Sequence, residues 1–436
     1  MTDQYRYEND LMFNHFLEDY FYDKFRKGEH SVEMIFSPKC NEACVYCYLN
    51  KTYHKLYPDC SFDNSNALDN ARKVLKWMKK NKFVCTLDIF SGELFAQEAG
   101  YALMDIIYDE YKDCAPDEKI KCVIIPTNFS FLANTELEMR VRKCLDKFNE
   151  IDLRVFLSAS MDGKYMDQNR PFKKNIDVDI DFVRDDAYYD KVFKFAREYD
   201  FGFHPMIWRA NLDKWKQNFD WFHDMMCKHD IPWTNLYLLP VRDDGWTPED
   251  NVLLQDFIRH IIDVSFEKCG RNTERYVDFI FKDNGFNILA TPFISIGRGI
   301  GCGMQTSLAI RMSDMKHFPC HRLMYPNFEI GYFDDDMNYV TEHAELGLVT
   351  YGFSTKSQPM CFKCPIKELC LAGCLGSQFE TNGEMFAPIK SVCKMSFAMV
   401  KAIVDKFDEI GVLEEVIKHC SNSKRDQLIW LKGAKI

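Results

Sequence analysis

Apolar and polar residues alternate in two rhythms over the first half of the chain. Short runs rich in β-branched and aromatic residues predict strands at 31–37, 84–90, 122–126, 153–160, 201–207 and 236–241. Longer stretches with apolar residues three and four apart predict amphipathic helices at 66–80, 100–111, 136–148, 186–199 and 212–228, with another at 249–269. Six strand–helix alternations point to an α/β fold with a parallel sheet and helices outside, either barrel-like or doubly wound. Such sheets carry their sites at the carboxyl ends of the strands. That rule singles out Cys40–Cys47, Ser91–Glu93, Thr127–Asn128 and Ser160–Gly163, which follow the first four predicted strands.

The rhythm changes elsewhere. Residues 1–30 read as an N-terminal helical segment, and 31–245 hold the alternating core. Residues 246–296 read as a helical bridge, and 297–395 as a region of short runs, turn residues and dense cysteines. Helical periodicity returns over 396–417, within a last stretch of 396–436. A cysteine-dense region with so thin a core needs metal to hold it.

Composition narrows the function classes. The net charge of −11 argues against nucleic acid and against an anionic membrane surface. No apolar run approaches a membrane span, and the polar, acidic N-terminus lacks a signal-peptide pattern, so the expected location is cytoplasmic. Eighteen cysteines without an export signal point to metal rather than disulfides. Ten fall into two groups; Cys60, Cys85, Cys114, Cys122, Cys144, Cys227, Cys269 and Cys420 are scattered and read as small apolar residues.

The first group, Cys40, Cys44 and Cys47, has the spacing C-x3-C-x2-C. Three thiolates this close can bind three irons of a cubane and leave the fourth open. Zinc, or a plain buried loop, is the simpler alternative. With Tyr46 before the last cysteine, the motif resembles the signature of the radical S-adenosylmethionine superfamily. Ser91-Gly92-Glu93 is similar to that family's Gly-Gly-Glu segment, which holds the cofactor's methionine amino group, with Leu94 in place of the usual proline. Thr127-Asn128 resembles its Thr-Asn-Gly, with Phe129 in place of glycine. Ser160-Met161-Asp162-Gly163 through Asp167-Gln168-Asn169-Arg170 resembles the Ser-x-Asp-Gly…Asp-x-x-Arg segment of peptide-modifying members, which makes Ser160 and Arg170 candidates to grip the cofactor's ribose or carboxylate.

The second group reads C-x2-C-x5-C-x3-C over Cys361, Cys364, Cys370 and Cys374, with Cys393 beyond and Cys302 and Cys320 upstream. Zinc would account for four of these seven. The arrangement resembles the SPASM extension of peptide-maturing members, which carries two auxiliary clusters. By that resemblance Cys361, Cys364, Cys370 and Cys393 hold one, and Cys302, Cys320 and Cys374 the other. Met315 stands where the family has glycine, which suggests a reshaped turn. Residues 293–301 lack the cysteine that completes the second set, so that cluster either has an open iron, where a substrate thiolate could bind, or is closed by Cys269.

Taken together, the resemblance implies a partial (β/α)6 barrel of the TIM type with a C-terminal cysteine-rich α+β extension. It also implies S-adenosylmethionine and three 4Fe-4S clusters, one for radical chemistry and two auxiliary. The implied activity is reductive cleavage of S-adenosylmethionine to a 5′-deoxyadenosyl radical, then hydrogen abstraction from a ribosomal precursor peptide, forming a thioether or carbon–carbon crosslink. Implied partners are that peptide and a flavodoxin- or ferredoxin-type reductant, with leader recognition by the barrel rim or a separate protein. Rival readings are sulfatase-type formylglycine maturation, a small-molecule dehydrogenase or epimerase, and a three-cluster electron carrier. Sulfatase-type members have an aspartate base directly after the cysteine matching Cys320; His321 stands there and is the candidate catalytic base. His204, Trp208, Arg209 and Asn211, after the fifth predicted strand, are weaker candidates for a cavity lining.

Overall fold

A computed structural model describes residues 3–49, 64–173, 183–283, 285–294, 302–353, 356–371 and 373–434. Cys60 and the expected boundary at 296–297 lie outside these. The chain forms two units, Met1–Ser160 with Asn169–Phe201 and Gly303–Phe353, and Met161–Gln168 with Gly202–Cys302 and Ser354–Ile436.

The first unit is built on a sheet. Strands β1 (Ser31–Ser37), β2 (Thr86–Ser91), β3 (Cys122–Thr127) and β4 (Val155–Ala159) lie side by side and parallel. A fifth parallel strand, β5 (Ser307–Arg311), pairs with the other edge of β1. From β5 the sheet continues as an antiparallel meander through β6 (Lys316–Phe318), β7 (Gly331–Phe333) and β8 (Tyr339–Thr341). The central strand β1 is buried almost throughout, as a strand with neighbours on both edges should be. In β2 and β3 burial alternates: Leu87, Ile89, Val123 and Ile125 are fully buried, whereas Asp88, Phe90, Ile124 and Pro126 are only partly so. Strand side chains alternate between faces, so one face of the sheet is sealed and the other is partly open.

Helices α1 (Asn64–Lys80), α2 (Glu98–Tyr111), α3 (Thr135–Glu150) and α4 (Asp186–Tyr199) connect and flank the strands, at the expected places within a few residues. Their starts are set locally. Asn134 caps α3 by accepting from the N–H groups of Glu136 and Leu137 at 2.9 and 3.1 Å, and Asp185 caps α4 through Tyr188 N–H at 2.9 Å. Residues 3–26 are helical, with a π-helical turn at Phe16–Phe21.

The second unit is mainly helical, with Pro248–Lys268 packed against Lys390–Glu409. The first of these opens with a capping box: Thr247 Oγ1 accepts from Asp250 N–H at 3.2 Å, and the Asp250 carboxylate accepts from Thr247 N–H at 2.9 Å. Two expected strands are cut short. The run 201–207 yields only Gly202–Phe203 and Met206–Ile207, and 236–241 only Leu239–Pro240. Pro205 and Pro240 have no N–H to donate to a ladder. The helix expected over 396–417 ends at Glu409 and resumes at Leu413, because Gly411 takes a left-handed φ of 73°.

Candidate functional site

Parallel pairing brings the carboxyl ends of β1, β2, β3 and β4 to one edge of the first unit, and with them the Cys40–Cys47 loop, Ser91–Glu93, Thr127–Asn128 and Ser160. The cysteine loop is pinned on one side by backbone pairing with residues 169–173: Ala43 N–H to Pro171 O at 2.8 Å, Val45 N–H to Asn169 O at 2.9 Å, and Lys173 N–H to Asn41 O at 2.9 Å. On the other side Gly92 N–H donates to Ser37 O at 2.7 Å and Glu93 N–H to Lys39 O at 2.8 Å. Gly92 is needed there, since a Cβ would lie 2.2 Å from Lys39 O and 2.6 Å from Pro38 O.

Glu93 ties the second and third strand ends together. Its buried carboxylate accepts from Thr127 Oγ1 at 2.8 Å and Phe95 N–H at 3.2 Å on one oxygen, and from Asn128 N–H at 2.6 Å on the other. A carboxylate has about four acceptor positions, so these three bonds leave room for one further donor on the second oxygen. Burial pushes the Glu93 acid up to about 7 against the pull of its three donors. A bound ammonium would return it to the ionised form.

Arg170 stands over the loop, with Nη1 3.9 Å from Cys44 Sγ and its guanidinium 5.4 Å from the Tyr46 ring centre. Glu42, almost fully buried, pairs with Arg184, whose other nitrogen donates to Arg170 O at 2.9 Å. Burial pushes the Cys40 thiol up to about 12 and raises Cys44 as well, the latter against the pull of Arg170. As free thiols they are poor nucleophiles; metal binding would displace the protons. Ser160, half-buried, donates its N–H to Thr127 O at 2.8 Å.

Two positions at which this sequence has a bulky side chain take the left-handed backbone that glycine favours. Phe129 takes φ 61° and ψ 13°, and Met315 takes φ 60°. The turn at Met315 is therefore left-handed, a conformation strained for a residue with a Cβ.

Sequence reasoning missed the polar network behind the loop. Asn41 donates to Ser130 Oγ at 2.7 Å and accepts from Asn128 Nδ2 at 2.7 Å, all three buried. Gln97 accepts from Ser37 Oγ at 2.8 Å and donates to Lys39 O at 3.0 Å and Glu93 O at 2.8 Å. No short motif flags either; the one available signal is that each lies within four residues of a motif residue.

On the partly open face of the sheet, His321 Nδ1 lies 2.5 Å from Glu33 Oε1, and its ring stacks on Phe90 at 4.2 Å and 11°. Glu33 pairs in register with Asp88, whose acid burial pushes up to about 6. The candidate base is thus gripped by a carboxylate and an aromatic face.

In the second unit Cys361, Cys364, Cys370, Cys374 and Cys393 line one cavity of about 110 Å³. Cys374, expected in the other set, shares that wall. Cys302 lies in the second unit and Cys320 in the first. Cys269 lines a different cavity, with Trp233 and Arg275. His204, Trp208, Arg209 and Asn211 belong to the second unit, where Arg209 pairs with Asp243 at 3.1 Å. Among the described residues no three His, Cys, Asp or Glu side chains converge as a single ion requires. A cubane sets a different demand, thiolates spread over separate irons; the cysteine loop has donors for three of them, and the cavity is lined by five cysteines.

No family model and no curated protein matches the chain. Solved structures do. One, described as histidine-tagged anSMEcpe with bound AdoMet, is 16% identical with a TM-score of 0.57, covering 92% of this chain and 98% of that one. Another, Streptococcus suis SuiB bound to S-adenosylmethionine, is 14% identical with a TM-score of 0.50, covering 85% of this chain and 80% of that one. This chain shares their fold.

Proposed function

We propose that this chain is a radical S-adenosylmethionine enzyme acting on a ribosomally made peptide. In this reading the parallel strands of the first unit form the wall of a partial barrel, and the C-terminal cysteine cavity is a SPASM-type auxiliary site. The observation that carries it is the three-cysteine loop held against Glu93, a buried carboxylate with an acceptor position to spare. The likeness in fold to two AdoMet-bound proteins supports it.

Cys40, Cys44 and Cys47 would hold the cluster, Glu93 and the backbone of Ser91–Gly92 the methionine ammonium, and Asn128, Ser160 and Arg170 the rest of the cofactor. When bound, cluster and cofactor supply a radical that abstracts hydrogen from the substrate. The chain's own part is placement: Gly92 lets the β2 end touch the cysteine loop, and Asn41, Asn128 and Ser130 fix the polar wall. The product is a thioether or carbon–carbon crosslink, with a flavodoxin- or ferredoxin-type protein as reductant. A second reading, oxidation of a serine or cysteine to formylglycine, is favoured by the grip of Glu33 and Phe90 on His321, which sets a base on the open face of the sheet.

The test is anaerobic reconstitution followed by reduction with dithionite and S-adenosylmethionine. We expect 5′-deoxyadenosine from the wild type and none from Cys44→Ala. Iron bound without any cleavage would leave an electron carrier as the better description.

A further inference from the structure

The cavity lined by the C-terminal cysteines has an uneven charge. Arg242, Lys356 and Lys367 stand in its wall, and among its described lining residues there is no aspartate or glutamate. In a chain of net charge −11 that is a local reversal, and it suits an anionic occupant. The three cations are not equivalent. Lys356 is only 6% exposed, whereas Lys367 is half-buried and its ammonium lies 5.0 Å from the exposed Phe362 ring. A buried charge is poorly screened by water or salt and so acts most strongly on its neighbours.

A lysine is costly to bury unless something anionic shares the site. Burial draws the Lys356 ammonium below the ordinary lysine range, while Cys370, Glu368 and Cys361 pull the other way. Gln358 and Gln378, both buried in the same wall, bond to each other at 3.3 Å. Neither carries charge to offset a cluster, which leaves the ammonium as the buried positive group of the wall.

Resting on the reading that Cys361, Cys364, Cys370 and Cys393 hold an auxiliary cluster, we infer that Lys356 is a positioning residue that raises the reduction potential of that cluster and so makes it an electron acceptor. A cluster gaining one electron gains one negative charge. A fixed ammonium in the wall stabilises the reduced form more than the oxidised one, and the potential rises. The electron to be accepted is the one left when the substrate radical closes a new bond and is oxidised. With a cluster held there, one electron would pass to it from the substrate radical while one proton left the substrate to solvent.

The experiment uses the full-length chain with Cys40, Cys44 and Cys47 replaced by alanine, so that only C-terminal iron remains. Iron per chain is counted, and midpoint potentials are read by spectroscopic titration, taking the transition that Cys361→Ala abolishes. Lys356→Met is expected to keep the iron and shift that midpoint to a more negative value, with Lys356→Arg staying near the parent. Loss of iron in Lys356→Met would count against the inference, because the lysine would then be needed to hold the cluster rather than to tune it. An unmoved midpoint in Lys356→Met, an equal shift in both variants, or iron loss in both would overturn the inference. A parent without iron would overturn the auxiliary-cluster reading along with it. Absence of S-adenosylmethionine cleavage in the wild type would strike the radical reading alone.

Discussion

Phe129 and Glu93 each trade stability for the geometry of the site, and each trade can be measured. Phe129 holds a left-handed backbone, which costs a residue with a Cβ about 1–2 kcal/mol. Its ring is fully buried against Phe131, Phe195 and Phe201, with centres 4.6–6.1 Å apart, which offsets the strain. Truncation to alanine loses the packing and keeps the strain; truncation to glycine loses the packing and relieves it. Phe129→Ala should therefore be less stable than Phe129→Gly by about 1 kcal/mol in denaturant melts, the reverse of the usual order of these residues. Glycine proving the less stable would mean that the backbone is not left-handed there.

Glu93 gives a pH signature. Its folded pKa of about 7 lies above its ordinary value of 4.5, so the protonated acid is favoured by folding. That contribution is full below pH 4.5 and is lost as pH rises through 7. The wild type should lose about 3 kcal/mol over that window from this group. Glu93→Gln should flatten the dependence, whatever it does to absolute stability. Thermal midpoints from pH 4.5 to 8 check this; parallel curves for the two proteins would show that Glu93 is not the titrating group.

At the scale of elements, the cysteine loop depends on a close approach of backbone to backbone. A Cβ on residue 92 would strike Lys39 O and Pro38 O, main-chain atoms that cannot swing aside as a side chain would, so the chain just before Cys40 must move. Gly92→Ala should therefore leave circular dichroism unchanged while cutting the iron held by the first cysteine group at least tenfold, read by iron count in protein lacking the C-terminal cysteines. Full iron occupancy would show that the contact does not fix the loop. The strand ends were legible because each motif is local: cysteine spacing, a glycine at a tight approach, and an acid one residue later all fall within a few positions. Chemistry contributed by distant segments was not. His321 and Glu33 are 288 residues apart in sequence, and β5 reaches the edge of β1 from beyond the helical bridge. Phe129 and Met315 were legible only as departures. No local rule says that a bulky residue will keep a glycine's conformation, because the compensating contacts come from the packed core.

For the molecule as a whole, the two units are stabilised by different means. The sheet of the first unit has a sealed face and a continuous apolar layer, including Leu87, Ile89, Val123, Ile125 and Leu157. Among its described residues the cysteine segment of the second unit has one short helix, Pro359–Phe362, followed by turns up to Leu369. Among the described residues from Pro359 to Cys374 the buried apolar side chains are Ile366, Leu369 and Leu371. So few cannot outweigh the entropy of ordering the segment, at about 1–2 kcal/mol per residue, without metal–thiolate bonds. Stripping iron with a chelator should therefore open 361–371 locally while the sheet persists. Hydrogen exchange followed by mass spectrometry should show amides there exchanging at least tenfold faster in stripped than in loaded protein, with β1 to β4 unchanged. Equal protection in both forms would mean that this segment holds itself together by packing, and the cysteine cavity would lose its claim to be a metal site.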